Sequence, residues 1–169
     1  LGSHAAHIKA YTAILSFWHP TTYQAGAAYS LGDLTLEGDI NYERWSDFEL
    51  SVPRELRRLT PELDDALSYR LGLEYRLTSM KLWAGYQYTP TPLPEDMNGA
   101  HYLDADRHIF GIGLGTARTD RWHLLPKPLE ISLGIQDKYL PKKTFRSAGT
   151  TYSLKGNVLC GFLSLRLPF

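Results

Sequence analysis

The sequence predicts an all-β fold, a transmembrane antiparallel β-barrel wall of about seven strands, and three observations lead there. Apolar residues recur at every second position in segment after segment, short and long connections alternate along the chain, and no stretch sustains a helical period. The pattern requires two environments, because a strand with one apolar and one polar row must present each to a different solvent.

Composition narrows the class. With 169 residues the chain is of single-domain size. Residues 1–10, beginning Leu1-Gly2-Ser3-His4, read as a tag-like or ragged terminus, so His4 and His7 are set aside; residues 11–169 read as barrel wall. Lys+Arg number 18 against 18 Asp+Glu, and this zero balance argues against a nucleic-acid partner, which needs a basic surplus. Apolar residues make up 43%, too many for a disordered tail. The single cysteine, Cys160, excludes an intramolecular disulfide framework and a multi-cysteine zinc site. A mean hydropathy of -0.29 suits a membrane barrel, whose alternating strands average out.

The elements follow in order. In 11–31, Tyr23, Ala25, Ala27, Tyr29 and Leu31 alternate after Pro20, which marks a kink or break because proline cannot donate to a ladder. Segment 34–42 (LTLEGDINY) sets Leu34, Leu36, Gly38, Ile40 and Tyr42 against Thr35, Glu37, Asp39 and Asn41. Segment 69–77 repeats this, with Arg70, Gly72, Glu74 and Arg76 on its polar side. Further strands are expected at 80–88, 109–116, 129–136 and 155–169. The short links are 32–33 and 78–79; the long ones are 49–68, 90–108 and 139–151, with a short helix expected over 53–67. Barrels have short periplasmic turns and longer outer loops, and only 118–128 exceeds the length expected on its side. Trp18, Trp45 with Phe48, Tyr88 and Trp122 fall near strand ends, where aromatic rings anchor at a lipid interface.

A Lys or Arg on the lipid face at mid-membrane costs roughly 2 to 4 kcal/mol, so apolar rows face lipid and charged rows the lumen. The inner wall then carries Glu37, Asp39, Asn41, Arg70, Glu74, Arg76, Lys81, Gln87, Glu130, Gln136 and Arg166. A register in which paired residue numbers sum near 113 sets Glu37 opposite Arg76. The same phase turns Trp83, Val158, Cys160 and Phe162 inward, an apolar patch suited to greasy solutes or to packing on a plug. Trp83, Val158 and Phe162 are therefore the candidate ligand contacts, with Lys81 or Arg166 for a carboxylate. Seven strands cannot close by the even-number rule, and an open edge in lipid leaves unpaired backbone groups. Either Pro20 splits the first segment to give eight short strands, or another segment or polypeptide supplies the remaining wall.

Enzymatic signatures are missing: there is no Gly-x-Ser-x-Gly elbow, no His-Glu-x-x-His and no phosphate loop, so neither an enzyme nor a bound cofactor is expected. Asp104, Asp106 and His108 lack a fourth metal ligand and are expected to order a loop through a salt bridge with Arg107. His101 and His123 read as loop or interface histidines.

The last strand alternates through Leu159, Gly161, Leu163, Leu165 and Leu167 to Phe169, and this resembles the terminal strand of bacterial outer-membrane barrels. Segment 88–115 (YTPTPLPEDMNGAHYLDADRHIFGIGLG), with Gly26 to Tyr29 and Tyr42 to Phe48 (YERWSDF) upstream, resembles the FadL family of outer-membrane transporters for long-chain fatty acids and aromatic hydrocarbons. That resemblance implies the carboxy-terminal half of a 14-stranded barrel. It further implies passive uptake of hydrophobic molecules and a place in the outer membrane, among membrane lipid and lipopolysaccharide. A structural or adhesive barrel, whose outer loops 49–68 and 90–108 bind a partner protein, is the alternative, and a soluble β-sandwich is the third.

Overall fold

In the computed structural model, residues 19–48, 62–95, 103–118, 129–147 and 149–166 are described. They form one seven-stranded antiparallel sheet in simple meander order: β1 (Thr21–Leu31), β2 (Leu34–Arg44), β3 (Ala66–Arg76), β4 (Met80–Thr89), β5 (Arg107–Arg118), β6 (Leu129–Ser147) and β7 (Thr150–Arg166). The predicted all-β antiparallel wall of seven strands is what forms. The sheet is not closed, since β1 and β7 are its edges. No helix among the described residues is long and apolar enough to cross a membrane.

The chain enters β1 directly after Pro20, where a missing N–H costs nothing. At one end, Gly32 at φ 58 makes the two-residue turn that pairs Leu31 with Leu34. The neighbouring β3–β4 turn closes through the Leu77 N–H on the Met80 carbonyl at 2.8 Å. It is tied to the first by the Arg76 N–H on the Asp33 carbonyl, also at 2.8 Å. The β2–β3 and β4–β5 connections lie at the opposite end, together with the tight β6–β7 turn, while 119–128 joins β5 to β6 at the end of the first two turns.

Parity behaves as the alternation requires, but register does not. Glu37 stands opposite Gly72 and Asp39 opposite Arg70, so the expected Glu37–Arg76 pairing is off by four residues. The hairpin turn sets absolute register, and the pattern sets only which face each residue takes. Glu37 lies across Gly72, where any Cβ would collide with its carboxylate.

The expected loop over 139–151 is instead the upper part of a long hairpin, β6 and β7 meeting at Gly149 with φ 78. Its register shifts between Leu140 and Lys143, so Pro141 and Lys142 together stand opposite Lys155. This β-bulge reverses the phase of β6, a place where proline is tolerated because the ladder is already broken. Lys143 and Phe145 thereby turn to the polar, inward side, while Lys142, Thr144 and Arg146 are exposed on the other. The helix expected over 53–67 falls outside the described residues through 61, and its last two residues begin β3.

Phe145 is 1% exposed and packs with Leu93, Leu63 and Leu154. It pins a strap, residues 90–95, across the long-loop end. The Asp64 N–H donates to the Pro92 carbonyl at 2.8 Å, Lys143 Nζ to the Leu93 carbonyl at 2.7 Å and the Arg146 N–H to the Glu95 carbonyl at 3.0 Å. Asp106 holds the near side, accepting from the Thr91 N–H and the Tyr88 hydroxyl, each at 3.0 Å. The loop is thus ordered by hydrogen bonds to Asp106, whereas none of the ion pairs among the described residues uses Arg107, contrary to the expected salt bridge. The residues described hold no group of three metal-ligating side chains.

Truncating Phe145→Ala is expected to cost roughly 3 kcal/mol. Faster hydrogen exchange at the Arg146 amide would report the loosened strap, and unchanged protection would show that the ring does not hold it. A second outcome concerns acid. Asp65 accepts hydrogen bonds from the Tyr42 hydroxyl and, at 2.9 Å, from the Ser46 N–H. The Tyr42 bond first, then the Ser46 amide, holds its pKa down to about 2 from the ordinary 3.8. A folded value below the unfolded one contributes stability above the unfolded value and loses it as pH falls from near 4 toward about 2. Asp65→Asn is expected to flatten that part of the acid-unfolding profile, measured by circular dichroism.

Candidate functional site

One face of the sheet is apolar and exposed across all seven strands. Leu71, Ile112, Leu159 and Leu163 are each more than half exposed there, far beyond the scattered apolar exposure of a water-facing surface. Toward the long-loop end this face carries a row of rings. Tyr23 lies 6.5 Å from Tyr42, Tyr69 5.3 Å from Tyr88, Tyr88 4.9 Å from His108 and His108 6.3 Å from Tyr139, centroid to centroid. Tyr86 shares a 2.8 Å hydrogen bond with His108 Nδ1. Tyr88 belongs to this row as expected; Trp18 and Trp122 lie outside the described residues. Trp45 and Phe48 depart from it, lining instead an apolar cavity of about 310 Å³ beneath the strap with Leu63, Pro92, Leu93 and Leu103. Another exception is Asp137, which the register places between Phe110 and Leu159 on the apolar face, where it accepts from Asn157 Nδ2 at 2.7 Å.

The opposite face bounds a concavity of about 620 Å³. Its floor at the β2–β3 side is ionic: Arg70 Nε lies 3.9 Å from Asp39 across the strands, and Arg76 Nε 2.6 Å from Glu74 along one strand. Exposed pairs of this kind contribute at most about 1 kcal/mol each, so their chief effect is to satisfy charge inside the wall. Its β4–β7 side carries Trp83, Ile109 and Phe162, with Gln87 and Gln136 as neutral polar groups.

Of the sequence-derived candidates, the structure brings Trp83 and Phe162 to this one cavity. Val158 stands opposite Lys138, further toward the long-loop end of the same face and outside the lining. Lys81 stands opposite Gly115 near the short turns. Arg166 is 3.7 Å from Glu130 at the same end, so its charge is already matched. Cys160 is exposed opposite Gln136.

What the candidate set misses is the glycines that seat the two rings. A methyl group at Gly134 would overlap the Phe162 ring, and one at Gly115 the Trp83 ring. Both rings therefore lie along the wall instead of standing across the cavity. The Gly111, Gly113, Gly115 alternation of β5, in step with Gly134 of β6, is the sequence signal for this. In a strand, such glycines mark a close approach by another group.

No protein-family model matches the chain. Over 146 residues, 80% of this chain, it is 32% identical to alkane uptake protein A of Marinobacter nauticus. The match covers 32% of that protein, so the chain spans about a third of the length of this curated relative.

Gly134→Val is expected to destabilise by about 1 to 3 kcal/mol through overpacking, or to swing Phe162 into the cavity. Gly156→Ala serves as the control, because nothing lies within 4 Å of the added carbon. Chemical denaturation of both variants checks this, and an equally silent Gly134→Val would mean that the ring is not seated there.

Proposed function

We propose that this chain forms part of the wall of an outer-membrane β-barrel that admits hydrophobic molecules by passive diffusion. It works as a channel component, not as an enzyme, and uses no bound cofactor. The apolar outward rows suit acyl chains. The two open edges call for further strands from another segment or polypeptide, because backbone groups unpaired in lipid cost several kcal/mol each. Kinship with an alkane uptake protein supports hydrophobic uptake in general. Membership of the FadL family and a 14-stranded closure rest on the motif resemblance.

The observation that carries the proposal is the placement of Trp83, Ile109 and Phe162 on one side of a cavity whose other side is ionic, a place to lay an alkyl chain at about 0.8 kcal/mol per buried methylene. The charge of the lining favours a neutral hydrocarbon over a fatty acid. Three carboxylates, Glu37, Asp39 and Glu74, face two guanidiniums, Arg70 and Arg76, which leaves no cation in surplus for a ligand carboxylate. Long-chain fatty acids, anchored by Lys81 or Arg166, are the second substrate class. Arg166 is already engaged by Glu130, which weakens that anchor.

Uptake of radiolabelled hexadecane by cells expressing the full-length protein is the direct test. Trp83→Asp and Phe162→Asp are each expected to lower it roughly tenfold while the protein still reaches the membrane, since a carboxylate removes the apolar contact and adds a desolvation cost. Unchanged uptake would remove both rings from the path. Faster entry of palmitate than of hexadecane would reverse the substrate assignment.

A further inference from the structure

The outward face of the β6–β7 hairpin changes character beyond Tyr139. The last rung of the aromatic row pairs Tyr139 with Asn157. The next outward rung sets Lys142, on the bulge, against Lys155. Two more follow, Thr144 against Ser153 and Arg146 against Thr151. All six of these side chains are exposed.

Like charges facing each other across strands are destabilising, and here two ammonium groups share a rung with a guanidinium two rungs on. None of the ion pairs among the described residues includes Lys142, Arg146 or Lys155. Asp137, the nearby carboxylate on this face, lies on the far side of the Tyr139 rung and is engaged by Asn157. Among the described residues, the patch thus has no ion-paired counter-charge. At about 3.4 Å per residue it runs roughly 14 Å along the hairpin. Three cations and the intervening Thr144, Thr151 and Ser153 hydroxyls supply donors that phosphate oxygens accept in charge-assisted bonds.

Position selects the source of the anion. The patch continues the face that bears Leu159 and Leu163, 70% and 63% exposed, and begins where the ring row ends. Rings of that kind sit at headgroup level, so the next rungs outward meet headgroup phosphates. A basic surface beside a membrane gains about 1 kcal/mol per cation from anionic lipid. The zero net charge of the whole chain gives no comparable attraction for nucleic acid. From this geometry we infer that Lys142, Arg146 and Lys155 form a docking site for the phosphate-bearing headgroup of an anionic membrane lipid. The site rests on the membrane-barrel placement proposed above, but not on the cavity or its substrate.

The bulge is what builds this site. Without the extra residue, β6 would keep its phase and send Lys143 and Phe145 outward, and the Lys142 and Arg146 side chains would fall on the inner face.

Native mass spectrometry of the full-length protein, extracted in a neutral detergent, tests the site with three probes: bisphosphorylated lipid A, its dephosphorylated form, and inorganic phosphate. The native protein is expected to retain the phosphorylated lipid at least tenfold better than the combined variant Lys142→Gln, Arg146→Gln, Lys155→Gln. Both should hold the dephosphorylated form equally. Lys138→Gln, which removes a cation from the inward face, should behave as the native protein. Equal retention by the combined variant overturns the site, and so does displacement of the lipid by millimolar inorganic phosphate, which would make it a free-anion site. Hexadecane uptake separates the two proposals. Lost phosphate selectivity with normal uptake refutes only the docking site, whereas retained selectivity in a native protein that takes up no hexadecane refutes only the transport function.

Discussion

Period-two alternation along an unbroken set of hydrogen-bonded antiparallel strands is the constraint from which the rest of this structure follows. Six successive ladders hold seven strands, and each residue's environment is decided by parity. A slip of one residue in any pair would move leucines such as Leu71 to the cavity and carboxylates such as Glu74 to the apolar side. Parity is therefore held even where register is free to move in steps of two, because a one-residue slip exchanges the two faces' side chains while a two-residue slip does not.

The one register shift within these six ladders has effects on both faces. Between Leu140 and Lys143 an extra residue reverses β6 just beyond the aromatic row. Inward, it delivers Phe145 and Lys143 to the strap over the long-loop end. Outward, it delivers the basic rungs. A single inserted residue thus turns the continuation of the apolar outward row basic and polar, and sends Phe145 to the apolar cluster on the other face.

The cavity shows a division of labour within one face. On β2 and β3, Arg70 pairs with Asp39 and Arg76 with Glu74 along the wall. On β4 to β7, glycine takes the place of side chains so that Trp83 and Phe162 lie flat. An apolar lining is obtained without filling the space that a solute would occupy.

The amino-acid order alone determined the antiparallel all-β class, which face the strand residues of 34–42 and 69–76 take, and the inward placement of Trp83 and Phe162, while it left seven or eight strands open. These depend on local alternation, and alternation is written residue by residue. It also exposed the alternating glycines without revealing what they accommodate, since a cross-strand ring is not a local property. Only the tertiary structure decided that Asp39 meets Arg70 and that Glu37 spans Gly72, because absolute register is set by turn geometry and three-dimensional pairing. It likewise decided that 139–151 is hairpin and not loop. Pro141 and the run of basic residues after it look like a break in the pattern, and the bulge that restores pairing by shifting phase has no signature until β7 lies beside β6.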